Sequence, residues 1–250
     1  MKLFILGAPD PEMREIARVL KEAGQRFVYA QYRRDRVMAS NAYKATGVSG
    51  PIPKGAKLVF VECAVVGLTP SVIVDHHNEG DPGYACAPAD YMKGSSLGQV
   101  LSLLGKEPTA EQRIICAADH CPHAAYQGNC PGVDVEAFSS WRIASKAQAK
   151  GVSVAEMQAR LDRQVEALKT AERLSIAGTE VLWVPTSADE LPDASARLGI
   201  PVMYCIVERD GRNKAGILNA PAHVIEAWMA QCGLANVYGN PHRGYAGGYA

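Results

Sequence analysis

The chain has 250 residues, and its 26 Lys and Arg balance 26 Asp and Glu, so the formal net charge is zero. Sequence-indifferent binding of long nucleic acid needs a clustered basic surface that releases counterions, and a neutral total argues against it while leaving room for a local phosphate pocket. With 48% apolar and 21% charged residues, the composition is that of a globular protein and excludes a disordered or fibrous one.

The apolar start at residues 2–6 predicts a strand that ends at Gly7, too short for the apolar core of a signal peptide. Asp10-Pro11-Glu12 then opens a helix predicted over 10–23, with a capping Asp, Pro at the first helical position and an acid in the first turn. Strands follow at 27–32, 58–66 and 71–74, and helices at 96–104 and 109–118. The run 58–68 is the longest apolar stretch, carries Glu62 at its middle and is far too short to span a bilayer. Apolar Met157, Leu161, Val165 and Leu168 recur every three or four residues in a charged helix predicted over 154–174. Beyond it come a strand at 181–185, a helix at 191–198, strands at 201–208 and 214–218, a helix at 221–232 and a Gly-rich tail. Seven cysteines without a CxxC pair fit reduced thiols, and the expected setting is cytoplasmic with no membrane association.

Alternating strands and helices predict an α/β fold of two lobes. The first is a mainly parallel sheet flanked by helices, and the second a smaller α/β lobe with a mixed sheet. The expected boundaries are 1–145 for the first lobe, 146–174 for a helical connector and 175–250 for the second lobe.

Asp75-His76-His77 stands straight after an apolar strand, where open α/β sheets place their sites, and offers oxygen and nitrogen donors suited to Mn, Zn or Fe. Asp10, Glu12, Glu62 and Asp119 are further carboxylates expected at comparable places. Glu62 is the most telling, because an isolated ionised carboxylate within VFVECAVV costs several kcal/mol unless it is paired or coordinated. Four of the six histidines lie between positions 76 and 123, but His120, Cys121 and His123 lack the second close pair of a structural zinc site. Asp119 is therefore the expected ligand there, with His123 as an alternative. In the tail, His242-Arg243 can grip phosphate among glycines that include Gly247. The run Arg33-Arg34-Asp35-Arg36 near Tyr29, Tyr32 and Tyr43 is either a solvated face or a seat for a nucleobase.

Taken in order, these motifs resemble the DHH phosphoesterase superfamily with its DHH-associated C-terminal domain. Asp75-His76-His77 is the signature triplet. Pro9-Asp10-Pro11-Glu12 is similar to the first motif, Val61-Glu62 to the second and Ala118-Asp119 to the fourth, and residues 239–248 are similar to the segment that closes the C-terminal domain. The resemblance implies a catalytic lobe and a substrate lobe with two divalent ions between them, manganese foremost and magnesium, zinc or iron as alternatives. Glu62 would bridge the ions, Asp10 would hold the first, and Glu12, His76 and Asp119 the second. Asp75 and His77 are the implied catalytic residues, with His77 facing the substrate phosphate and His242, Arg243 and Gly247 binding it from the other lobe.

The implied activity is metal-dependent hydrolysis of a small phosphate ester, dinucleotide or short oligonucleotide, and neutral charge favours a short substrate over a long one. Leu6 stands where the family places a metal-binding His, and Glu12 and Glu62 stand where it uses Asp. This motivates a second reading, a phospho-ligand sensor that has lost the first metal site. Homo-oligomerisation is compatible with either reading.

Overall fold

The computed structural model describes residues 1–186, 188–208 and 210–250. Two compact units emerge, Met1–His120 and Cys121–Ala250.

In the first unit, β1 (Lys2–Leu6) leads through α1 (Pro11–Glu22) into β2 (Arg26–Tyr32), followed by the two-residue strands β3 (Asp35–Arg36) and β4 (Gly47–Val48). Next come β5 (Lys57–Val61), β6 (Val72–Val74) and the helices α2 (Tyr91–Gly94), α3 (Ser96–Leu103) and α4 (Ala110–His120). The sheet order is β3-β2-β1-β5-β6, with β1, β2, β5 and β6 parallel and the short β3 and β4 antiparallel to β2. β1 is central and buried along nearly its whole length, as its unbroken apolar run requires. Leu3 and Ile5 pack with Val28, Leu58 and Phe60 on one face under residues 37–45 and 63–65, and strand alternation sends Phe4 and Leu6 to the other. Asp10 caps α1, its Oδ1 accepting from the Met13 backbone at 2.6 Å.

The second unit begins with α5 (Pro122–Tyr126), α6 (Val135–Lys150) and α7 (Val154–Lys169), then β7 (Glu172–Ile176), β8 (Thr179–Val184), α8 (Leu191–Leu198) and β9 (Val202–Val207). It ends with β10 (Asn213–Leu218), α9 (Ala222–Gln231), β11 (Ala235–Asn240) and β12 (Tyr245–Tyr249). The strand order is β11-β12-β10-β9-β8-β7; β8 and β9 are parallel and the other pairs antiparallel, a mixed sheet as expected. Leu182, Val202 and Leu218 face α6, α7 and α8, and Val181, Ile217 and Ala246 face α9.

Several elements depart from the sequence expectation. β5 stops at Val61, so Glu62 follows the strand and does not lie within it. α7 ends at Lys169, and residues 172–174 belong to β7, which pairs with β8. α6 was not expected, because its amphipathic stripe is weak and only Phe138, Ile143 and Ala147 are buried along 16 residues. The Gly-rich tail is the hairpin β11–β12. A Cβ on Gly247 would lie 2.7 Å from the Tyr238 hydroxyl, and one on Gly216 2.6 Å from that of Tyr204, so these glycines make room for tyrosines across the sheet. No helix among the described residues is long and apolar enough to cross a membrane.

Candidate metal centre

Glu62 sits at the carboxyl end of β5 with φ +49°, a conformation that costs a non-glycine residue on the order of 1–3 kcal/mol. Its backbone N–H still bonds to Val74 O of β6 at 3.0 Å, so the turn is pinned to the sheet. Gly7 packs directly beneath, where a Cβ would come within 2.3 Å of Glu62 O, so only glycine fits there. The strained turn leaves the Glu62 side chain buried.

Glu12 lies on the buried side of α1. One carboxylate oxygen accepts from the Leu97 backbone at 2.9 Å, and Oε2 has no hydrogen-bond partner. Burial pushes the Glu12 carboxyl well above its ordinary pKa, and the like charges of Asp119 and Glu62 push it further. Asp10 is raised to about 7, first by burial and then by Glu62.

The triplet follows β6. Asp75 accepts from the His76 and His77 backbones at 2.7 and 3.1 Å, from His77 Nδ1 at 2.9 Å and from the Tyr43 hydroxyl at 2.9 and 3.1 Å. Burial alone would raise its carboxyl, yet the hydrogen bonds from His77 hold it below the usual range. His76 is buried, its Nε2 2.9 Å from Asp119 Oδ2 and 3.5 Å from Glu62 Oε1. Asp119 lies in the last turn of α4, which runs through His120, two residues beyond the expected end at 118.

One donor atom each from Glu12, Glu62, His76 and Asp119 lies within 4.8 Å of the others, a set that could hold a metal ion. Glu62, His76 and His77 form a second such group. Three carboxylates and one imidazole, with a buried oxygen left without a hydrogen bond, suit a hard or borderline divalent cation. Asp10 stands electrostatically close to Glu62 and Asp119, but its Oδ1 is committed to the cap of α1, and it belongs to neither group. Leu6 is fully buried in the sheet and supplies no donor.

His123 belongs to neither group and lies on the short α5, its pKa lowered by burial. In the second unit, His242 and Arg243 occupy a single 3-10 turn between β11 and β12, tied by Arg243 N to Asn240 Oδ1 at 3.1 Å. Gly247 is buried beneath Tyr238. The basic run near β3 is partly tied down, since the Arg36 guanidinium lies 4.0 Å over the Tyr29 ring and its Nη2 reaches Gly7 O at 3.4 Å. Tyr43 buttresses Asp75.

Sequence reasoning missed Gln99, whose amide donates to Asp75 O and Gly94 O, each at 3.1 Å, and whose Oε1 accepts from the Asp75 backbone at 3.3 Å. An amide among the Leu, Val, Gly and Ser residues of α3 was the available signal.

Fold and site together define a two-unit α/β protein with a buried carboxylate and imidazole cluster at the carboxyl edge of a mostly parallel sheet. No family model matches the chain, and no curated protein matches it. Among solved structures it is similar to the pGpG-specific phosphodiesterase PggH from Vibrio cholerae, with 10% identity over 99% of this chain and 92% of that one and a TM-score of 0.45.

Proposed function

We propose that the chain is a metal-dependent phosphoesterase that hydrolyses a small phosphate ester, a dinucleotide or a short oligonucleotide. The observation that carries this reading is the convergence of Glu12, Glu62, His76 and Asp119, four residues distant in sequence, on one buried point with an oxygen of Glu12 left unbonded. The order of the motifs along the chain supplies the phosphoester chemistry.

Glu12, Glu62, His76 and Asp119 would hold the cation, which we take to be manganese. A divalent ion at such a site supplies Lewis acidity toward a phosphoryl oxygen and lowers the pKa of a water. The protein's own residues do the positioning. Asp75 fixes the His77 ring through Nδ1 and is itself fixed by Tyr43, so that His77, 37% exposed, is presented to the substrate phosphate in one orientation. His242 and Arg243, on the second unit, carry an imidazole and a guanidinium, groups suited to binding phosphate, and we propose them as substrate-binding residues. Gln99 clamps the start of the triplet to α3.

The test is to strip metal with a chelator, restore Mn, Mg, Zn or Fe, and assay bis-phosphate esters, dinucleotides and pyrophosphate. Turnover is expected only with metal, and His76→Ala should lower it by at least about 100-fold, the loss of a metal ligand exceeding that of its outer partners. An undiminished rate in His76→Ala, or no turnover across the panel by a metal-loaded chain, overturns the reading. In the second case the sensor reading that Leu6 motivates takes its place.

A further inference from the structure

His76 is locked on its far side by a second buried histidine, His120. The two Nδ1 atoms are 3.0 Å apart, and His120 Nε2 lies 2.9 Å from the carbonyl oxygen of Cys86. A carbonyl only accepts, so the contact with Cys86 requires the His120 proton on Nε2. In the neutral ring, Nδ1 of His120 is then an acceptor, and the proton between the two rings belongs to Nδ1 of His76. Placing that proton on His120 instead would make it a buried imidazolium, at the cost of desolvating its charge. The ring centroids are 5.3 Å apart and the planes are inclined by only 23°, so the two Nδ1 edges meet nearly in plane, as an N–H···N bond requires. The seat of His120 is shaped for it: a Cβ on Gly94 would meet its Cε1 and Nε2 at 2.5 Å, so only glycine leaves the imidazole room.

We infer that His120 is a positioning residue for the metal ligand. Through the relay from Cys86 O to His120 to His76, it keeps the His76 proton on Nδ1 and directs Nε2 toward Glu62 and Asp119 as the nitrogen that takes the cation. The general physics is that of an outer partner fixing the tautomer and ring orientation of a ligating histidine, a role usually filled by a carboxylate or a backbone carbonyl. Here the carbonyl acts one ring removed. The inference rests on reading the cluster as a metal site, but it concerns which nitrogen binds and what holds it.

The experiment uses the full chain with 15N-labelled histidine. In the metal-free protein, the His76 Nδ1 resonance should carry a proton protected from solvent exchange, and adding Zn2+ should perturb Nε2 of His76 while Nδ1 keeps its proton. Calorimetric titration with Mn2+ then compares variants. His120→Leu, which removes the acceptor at similar volume, should weaken binding 10- to 100-fold. His120→Asn, whose side-chain oxygen can stand near the position of Nδ1, should bind within about threefold of the parent, far above the range expected for a lost outer partner.

Zn2+ binding to Nδ1 of His76, a solvent-exchanging Nδ1, or unchanged Mn2+ affinity in His120→Leu overturns the inference. The resonance measurements need only the parent chain, so a variant that fails to fold does not remove the test. A parent chain with the protected Nδ1 proton and the His120→Leu weakening but no ester hydrolysis supports the relay and overturns the phosphoesterase reading alone.

Discussion

Asp193 and Glu12 are both carboxylates with 2% of their surface exposed, and the chain treats them in opposite ways. Asp193, at the start of α8, receives Arg142 Nε at 3.0 Å and Nη2 at 2.7 Å from α6, and Lys146 completes the pairing one helical turn on. Burial alone would raise its carboxyl, but Arg142 and Lys146 hold it below the usual range. Glu12, on α1, has a backbone N–H for one oxygen and none for the other, and its charged neighbours Asp119 and Glu62 have the same sign. A carboxylate buried with its own cations is complete once the chain has folded. One buried among carboxylates has an electrostatic deficit that a proton or an external cation fills.

The largest expected effect comes from breaking the completed pair. Asp193→Ala leaves Arg142 and Lys146 without their shared counter-charge, and loss of one partner from a buried ion pair typically costs about 3–5 kcal/mol. Urea denaturation should show an unfolding free energy lower by that amount. A loss below about 1 kcal/mol would mean that the pair is solvated and that the contrast with Glu12 is false.

A somewhat smaller effect is expected from pH, with opposite signs at the two sites. The folded-state pKa of Asp10 is raised from an ordinary 3.8 to about 7, so its contribution to stability is fully present below about pH 4 and is lost as pH rises through 7. The move from 3.8 to about 7, at 1.36 kcal/mol per tenfold change in proton affinity, sets an upper bound of ~4 kcal/mol. Asp193 is depressed, so its contribution is present above its unfolded pKa and is lost as pH falls through the folded one. In chelator, the parent chain should therefore lose stability between pH 4 and 7 relative to Asp10→Asn, which keeps a capping side chain while removing the charge. Saturating metal should narrow that difference, and parallel curves for parent and variant in chelator would refute the shift.

Strand periodicity and the caps made most elements legible in the sequence, because an unbroken apolar run such as residues 2–6 leaves little choice for a central strand. Glu62 was legible as an anomaly but misplaced within a strand, since a positive φ at a non-glycine residue leaves no composition signal. Residues 235–249 read as a Gly-rich tail whose glycines let backbone approach a ligand, whereas Gly247 makes room for Tyr238 on the neighbouring strand, as Gly216 of β10 does for Tyr204, a cross-strand relation that no local window contains. Glu62, His76 and Asp119 stood out by residue chemistry and Glu12 as a ligand through the resemblance, and the structure brings donor atoms of all four within 4.8 Å of one another. Asp10 was legible as a cap as well as a ligand, and the structure commits one of its oxygens to the first role. His120 was legible as part of the shell around Asp119, but its contact with His76 and the duties of Gln99 and Gly94 depend on distances between segments brought together only by the fold, so those were not legible.

The finest test of the contrast is Glu12→Gln, a near-isosteric change that removes charge and keeps an oxygen for the Leu97 N–H. In the metal-free chain, at a pH high enough to ionise Glu12, it should raise stability, because it removes a buried charge held among like charges. The expected gain is about 1–3 kcal/mol, the usual cost of a buried polar group left without its partner. Under saturating Mn2+ the order should invert, because a ligand that binds only the folded state stabilises it in proportion to the logarithm of its concentration over Kd, and the variant binds more weakly. The crossing of the two stabilities as metal is added is the signature of a deficit that the cation fills. If Glu12→Gln instead destabilises the metal-free chain, as Asp193→Ala is expected to do, then Glu12 is satisfied by the protein alone and the two carboxylates are of one kind.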